Sequence, residues 1–313
     1  PMKSKRKIIL AGGTGTMGKI LQQHFAELGY DVVVLSRSPK TKSATGIRHM
    51  HWDASSIGPW AKELESAKAV INLAGRSVDC RYTAKNKALI LNSRVNATRV
   101  LGDAIAACTT PPETWINLSS ATVYRHAEDR PQDEFTGELG TDFSPGIVKA
   151  WEKEFFCHTL KGVRQVAVRS AIVLSNQGGA WPMYVGITKA GLGGAHGSGN
   201  QFVSWIHEED VKHFFNWIID TPTVEGIIDL ASPNPLPQRA FMEQIRQHTK
   251  PIFHINAPVW MLTIGAFFMG TETELILKSR QVIPTKALQL GYIFKHAHIG
   301  GAMTQLFTAQ LSK

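Results

Sequence analysis

A short apolar run followed at once by a spaced glycine triplet limits what this chain can fold into more than any other feature. The run is Lys7-Ile8-Ile9-Leu10-Ala11, and the loop Gly12-Gly13-Thr14-Gly15-Thr16-Met17-Gly18 leads out of it. Beyond the loop, Met17, Ile20, Leu21, Phe25 and Leu28 recur at steps of three or four, the stripe of an amphipathic helix. The segment reads as strand, phosphate loop and helix. Gly12 permits the tight turn, Gly15 lets backbone approach a pyrophosphate, and Gly18 lets the helix lie close to the strand. Phosphates there would face the free N–H groups and positive dipole end of that helix. A second strand, Asp31 to Leu35, follows.

The residues after that strand bear on which dinucleotide binds. Many NAD sites place an acid here for the ribose hydroxyls. This chain has Ser36-Arg37-Ser38 instead, with Lys40 and Lys42 nearby. A guanidinium suits a 2′-phosphate, so NADP(H) is favoured over NAD.

The βαβ rhythm continues. Gly46 to Trp52 reads as a third strand ending at Asp53, with His49 and His51 on one face. No third ligand accompanies these histidines, so they are expected to be structural. A short helix over 60–65 precedes Ala69-Val70-Ile71-Asn72-Leu73-Ala74-Gly75, a buried strand ending in a small-residue loop facing the nucleotide. A helix over 81–107 packs through Leu91, Val95, Thr98, Gly102 and Ile105. The strand 113–118 delivers Ser119-Ser120-Ala121-Thr122-Val123-Tyr124, and 125–142 reads as loop. A helix over 147–160 turns Val148, Trp151 and Phe155 inward, with Lys149 and Glu152 on a different side. The strand 163–168 runs into Arg169-Ser170.

Beyond it the rhythm weakens. Gly191, Gly193, Gly194, Gly197 and Gly199 predict a mobile loop, a cover or a ligand cradle. His207 to Asp210 lead into another helix, and a strand over 226–230 follows. Pro233, Pro235 and Pro237 then set off about three C-terminal helices.

Composition narrows the class. With 43% hydrophobic and 19% charged residues, the chain has the balance of a soluble globular enzyme. Cys80, Cys108 and Cys157 are far apart, which argues against a disulfide framework and for a reducing, cytoplasmic setting. The basic residues before Ile8 resemble the start of a signal peptide, but the apolar stretch that follows is too short. Val259 to Met269 is likewise shorter than the ~20 residues of a membrane span and is expected to be a buried helix. The net charge of +9 favours anionic ligands. Its basic residues are scattered without aromatic interleaving, so neither nucleic acid nor membrane is expected as a partner.

The glycine loop, Asn72-Leu-Ala-Gly75, Ser119-Ser-Ala-Thr-Val-Tyr124 and Trp205-Ile-His-x-x-Asp210 occur together and in order. This set resembles the extended short-chain dehydrogenase/reductase superfamily. Lys149-Ala-Trp-Glu152, Gly191-Leu-Gly-Gly-x-x-Gly-Ser-Gly199, Gln281-Val-Ile-Pro284 and Leu290-Gly-Tyr292 narrow the resemblance to its atypical YfcH-like epimerase branch. The resemblance implies an α/β fold, a Rossmann-type doubly wound parallel sheet with a smaller, mostly helical C-terminal substrate domain. The first domain spans 1–170, with 205–231 returning to it, and 171–204 and 232–313 form the second. It implies pyrophosphate at Gly12, Gly13, Thr14, Gly15, Thr16, Met17 and Gly18, and the adenosine phosphate at Ser36 and Arg37. Asp53 then lies near adenine, Leu73, Ala74 and Gly75 line the ribose, and Arg169 joins the cofactor set. Ser120 matches the serine that hydrogen-bonds the reacting oxygen.

One departure stands out. The superfamily's proton-transfer pair is Tyr-x-x-x-Lys, whose lysine lowers the tyrosine pKa and holds the nicotinamide ribose. Four residues beyond Tyr30, Tyr82, Tyr124, Tyr184 and Tyr292 stand Val34, Asn86, Glu128, Thr188 and His296. None is lysine. Lys149 is the candidate substitute, toward both cofactor and catalysis, and Tyr124, Glu152 or His126 the candidate proton carriers. The expectation is an NADP(H)-dependent oxidoreductase or epimerase-like enzyme, monomeric or homodimeric, acting on a small molecule of which sugar nucleotides are one class. The rival expectation is an NADP-binding regulatory protein that kept the nucleotide site and lost the chemistry.

Overall fold

The computed structural model describes residues 6–39, 44–269 and 272–311. Its first part alternates strand and helix except across β2 to β4: β1 (Lys7–Ala11), α1 (Thr16–Glu27), β2 (Asp31–Ser36), β3 (Ile47–His51), β4 (Ala69–Asn72), α2 (Ala84–Ala106), β5 (Thr114–Ser120), α3 (Phe143–Cys157) and β6 (Arg164–Ser170). Then come β7 (Ile172–Leu174), α4 (Ala180–Ile187), β8 (Phe202–Val203), β9 (Trp205–His207), α5 (Glu208–Asp220) and β10 (Gly226–Leu230). The chain closes with β11 (Leu236–Pro237), α6 (Gln238–Thr249), α7 (Val259–Met269), α8 (Glu274–Leu277), α9 (Thr285–Gln289) and α10 (Ile299–Leu311).

Seven strands form one parallel sheet in the order β10-β6-β5-β4-β1-β2-β3. From β1 the chain winds outward through β2 and β3, then returns to lay β4 on the other side. That reversal opens a crevice between β1 and β4 at the carboxyl ends of the strands, where doubly wound sheets bind ligands. The strands read as unbroken apolar runs because both faces are covered. Ile8 and Leu10 pack on one side with Phe25, Phe214 and Ile218, while Ile9 packs on the other with Leu101, Trp115 and Phe155. A third core, around Trp181, Trp205, Phe241 and Leu306, ties α4, α6 and α10 together beyond the sheet.

Three expectations change here. The helix α3 begins at Phe143, four residues before the predicted start, because Pro145 sits in the first turn, where its missing N–H is not needed. The glycines of 191–199 form no open loop: Gly191 and Ala195 carbonyls accept from Ile255 and Ala257, and Gly194 and Gly197 N–H groups donate back to Ile255 and Ala257. A Cβ on Gly194 would stand 2.3 Å from the Ile255 carbonyl oxygen, so close backbone approach accounts for that glycine. The apolar segment α7 is helical but not buried, with Trp260 66% and Phe267 63% exposed. No helix among the described residues is long and apolar enough to cross a membrane.

Fully buried His207 accepts at Nδ1 from the Glu209 N–H (3.0 Å), and its ring centre lies 4.0 Å from that of His296. Burial, then His296, pushes its pKa down to about 3. The folded state thus refuses a proton that the unfolded histidine takes near pH 6.5, and the stability is lost as pH falls through that value. Unfolding free energies at pH 7.5 and 5.5 should show wild type losing about 1 kcal/mol more than His207→Asn, which keeps a capping acceptor but does not titrate. Parallel losses in the two proteins would clear His207 of the effect.

Candidate dinucleotide site and active cavity

The loop between β1 and α1 is built by glycines with distinct tasks. Gly12, at φ +73°, donates its N–H to the Leu35 carbonyl (2.8 Å), and a Cβ there would stand 2.7 Å from Ala74 Cα. A Cβ on Gly18 would fall 2.0 Å from the Gly13 oxygen, so α1 lies directly on the turn. Gly15 differs: a Cβ there meets nothing within 4 Å. It caps α1 without a side-chain hydrogen bond, and no acid occupies the first turn. The first N–H groups of α1 therefore face open space beside a positive dipole end, which fits a pyrophosphate. Thr14 and Gly15 are exposed on this loop, Thr16 and Met17 half-buried.

At the adenosine end, the buried Ser36 hydroxyl has no partner and Arg37 is exposed. Lys40 and Lys42 lie outside the described residues. Asp53 is turned on its own loop, accepting from the Ser56 hydroxyl (2.5 Å) and the N–H groups of Ser55 and Ser56 (2.9 Å each). Those bonds, the Ser56 hydroxyl first, hold its carboxyl well below the usual range. The carboxylate expected near adenine is thus engaged in its own turn.

The opposite end is a cavity of about 250 Å³ across the ends of β4, β5 and β6. A buried polar network shapes it. Asn72 Nδ2 donates to Asn117 Oδ1 (2.7 Å) and to Thr98 Oγ1 (3.1 Å), while its Oδ1 accepts from the Ala74 N–H (3.1 Å), setting the path of Leu73-Ala74-Gly75. Trp151 Nε1 donates to Thr98 Oγ1 (2.9 Å), locking α3 to α2. Hydroxyls of Ser119, Ser120, Thr122, Ser144 and Ser170 line the space, with Leu73 to Gly75 on its β4 side. Ser120 Oγ accepts from the N–H (3.2 Å) and Oγ1 (2.9 Å) of Thr122, leaving its own proton free for donation into the cavity.

The predicted partners of Ser120 do not join it. Ser144, Ile147, Val148 and Trp151 are the α3 residues that reach the cavity, at the i, i+3, i+4, i+7 spacing of one helix face. Lys149, one position round, is exposed and donates to the Gly140 carbonyl (2.9 Å). Tyr124 is 1% exposed, and its hydroxyl donates to Asp229 Oδ2 (2.8 Å). Burial, then Asp229, pushes its pKa up, the reverse of what a proton-abstracting tyrosine needs. Arg169 is buried, with Nε and Nη2 on the Glu152 carboxylate (2.8 and 2.7 Å) and Nη1 on Tyr124 (3.0 Å). Glu152 also accepts from Ser119 Oγ (2.7 Å) and is buried, whereas Lys149, expected on the same side of the helix, is exposed. His126 Nδ1 accepts from the Ser279 N–H (3.0 Å). Ser119–Glu152–Arg169–Tyr124–Asp229 thus forms one buried chain from the cavity wall into the core. Burial raises Asp229 well above the carboxylate range.

A doubly wound parallel sheet, an open glycine loop at its switch point and a hydroxyl-lined cavity at the strand ends define a nucleotide-binding, oxidoreductase-like protein. The chain belongs to the epimerase family. The profile of the NAD dependent epimerase/dehydratase family matches residues 8–145, and a domain of unknown function, DUF1731, matches 257–306. The epimerase family protein YfhF of Bacillus subtilis is 30% identical over 303 residues, 96% of this chain and 97% of that protein. The crystal structure of human epimerase family protein SDR39U1 with NADPH superposes with a TM-score of 0.84 at 28% identity, covering 96% of this chain and 99% of that one. The UDP-N-acetylglucosamine 4-epimerase of Bacillus cereus shares the fold at 15% identity and a TM-score of 0.73, over 99% of this chain and 98% of that one.

Proposed function

We propose that the protein is an NADP(H)-dependent oxidoreductase or epimerase-like enzyme acting on a small molecule. The observation that carries this reading is the Ser120 hydroxyl, its proton free, in a cavity whose wall residue Ala74 packs against Gly12 of the phosphate loop. Gly12 to Gly18 hold the pyrophosphate through backbone N–H groups, Ser36 and Arg37 receive the adenosine 2′-phosphate, and Leu73 to Gly75 pass beneath the second half of the dinucleotide. When bound, the nicotinamide supplies a hydride donor or acceptor. Ser120 donates to the substrate oxygen and stabilises charge that develops there. Segments 171–204 and 232–313 form the substrate side of the crevice. The NADPH in the crystal structure of human SDR39U1 supports the cofactor choice.

A second reading, an NADP-binding regulatory protein without turnover, draws on a separate observation. The face of α3 that meets the cavity carries Ser144 and Val148 one turn apart, and neither moves a proton as a Tyr-Lys pair does.

Cofactor titration tests the reading. A charge-assisted contact contributes about 1.5–3 kcal/mol, so NADPH should bind tighter than NADH by about one to two orders of magnitude. Arg37→Asp should erase the gap, because it adds repulsion to the lost contact. Equal affinities of wild type for the two cofactors would make Arg37 a bystander.

A further inference from the structure

Arg94, on α2, is the only ionisable residue among those lining the cavity. Its Nη1 donates to the carbonyls of Arg76 (2.9 Å) and Ile90 (3.1 Å), and its guanidinium lies 5.2 Å from the centre of the Trp151 ring. A Cβ on Gly75 would come 3.0 Å from Arg94 Cζ, so the guanidinium is packed against the β4 loop. No carboxylate pairs with it among the described residues, and its Nε and Nη2 groups make no hydrogen bond there. A half-buried guanidinium with free donors and no counter-charge beside a cavity marks a place for a ligand's oxygens. Burial draws its pKa down to about 10, which leaves it charged at neutral pH.

The occupant follows from the path of the dinucleotide, and so rests on the function proposed above. With its pyrophosphate at the α1 terminus and its adenosine toward Arg37, the other half can run only across the ends of β4 and β5. There it passes over Gly75 and into the cavity that Arg94 lines. We propose that Arg94 grips the sugar-phosphate of the second nucleotide through its free Nε and Nη2 groups, and so supplies from α2 the fixed cation that α3 does not bring to this cavity.

Binding of two probes to folded wild type, Arg94→Gln and Arg94→Lys tests this by calorimetry. NADPH carries both nucleotides, whereas 2′,5′-ADP carries only the adenosine half. Arg94→Gln should weaken NADPH by about tenfold or more and leave 2′,5′-ADP unchanged, with Arg94→Lys recovering part of the loss. Unchanged NADPH affinity in Arg94→Gln would overturn the assignment and leave Arg94 to packing or to a substrate anion. Equal loss of both probes, with a lowered melting temperature in both variants, would also overturn it, making Arg94 a strut of the β4 loop. Failure of wild type itself to bind NADPH would sink the proposed function, and this assignment with it.

Discussion

Arg169→Met should lower the unfolding free energy by about 3–5 kcal/mol, the cost of removing one partner of a buried ion pair. Arg169 and Glu152 side chains are 6% and 9% exposed, and their contact is bidentate. Burial opposes the arginine's charge, but the Glu152 carboxylate more than offsets that opposition, so its pKa is raised. Methionine fills similar volume and leaves Glu152 buried with only the Ser119 hydroxyl. Tyr124 loses a donor at the same time, and the fully buried Asp229 beyond it already has one oxygen without a partner. Denaturant unfolding of wild type, Arg169→Met and Arg169→Met/Glu152→Leu checks this. The double variant should recover much of the loss, because no unpaired charge remains. A single variant as stable as wild type would show that buried Glu152 does not depend on Arg169, and the prediction would fail. Dinucleotide affinity should survive in any folded variant, since Arg169 does not line the cavity and its guanidinium is taken up by Glu152 and Tyr124.

How far the site is legible in the sequence depends on how local its information is. The phosphate loop is legible because strand, glycines and helix are contiguous, and the strand Ala69 to Asn72 because a strand covered on both faces is an unbroken apolar run. Lys149 misleads through a small local error. Pro145 suggests a break rather than a first turn, and starting the helix at Ile147 hides Ser144 and the face it shares with Val148. Glu152 and Arg169 are 17 residues apart on different elements, and nothing in either segment signals the pairing. Arg94 is one cation among many on a basic chain, set apart in three dimensions by its place at the cavity. The exposure of α7 is equally non-local: its composition favours burial, but no core reaches Trp260 or Phe267. The one available signal for Arg94 was its place one turn before Thr98, which the Asn72 network fixes against the strand ends.

Gly15→Leu should fold like wild type and bind NADPH at least about a hundredfold more weakly, a change of ~2.7 kcal/mol. The three spaced glycines of the loop, Gly12, Gly15 and Gly18, separate sharply by what surrounds them. At Gly12 the backbone is left-handed and Ala74 blocks any Cβ; at Gly18 the Gly13 carbonyl does. Substitution at either strains the fold before any ligand is considered. Gly15 has φ −76° and ψ −176°, an extended conformation open to any residue, and a Cβ there touches no protein atom. Nothing in the folded chain demands glycine at that point. What demands it is the space over the first N–H groups of α1, where a leucine side chain would displace the pyrophosphate and prevent several charge-assisted hydrogen bonds at once. Calorimetric titration, with melting temperature as the folding control, separates the cases. Normal melting with lost binding identifies Gly15 as a glycine kept for the ligand. Normal melting with unchanged affinity would mean that the phosphates lie elsewhere, and the placement of the dinucleotide on this loop would fall.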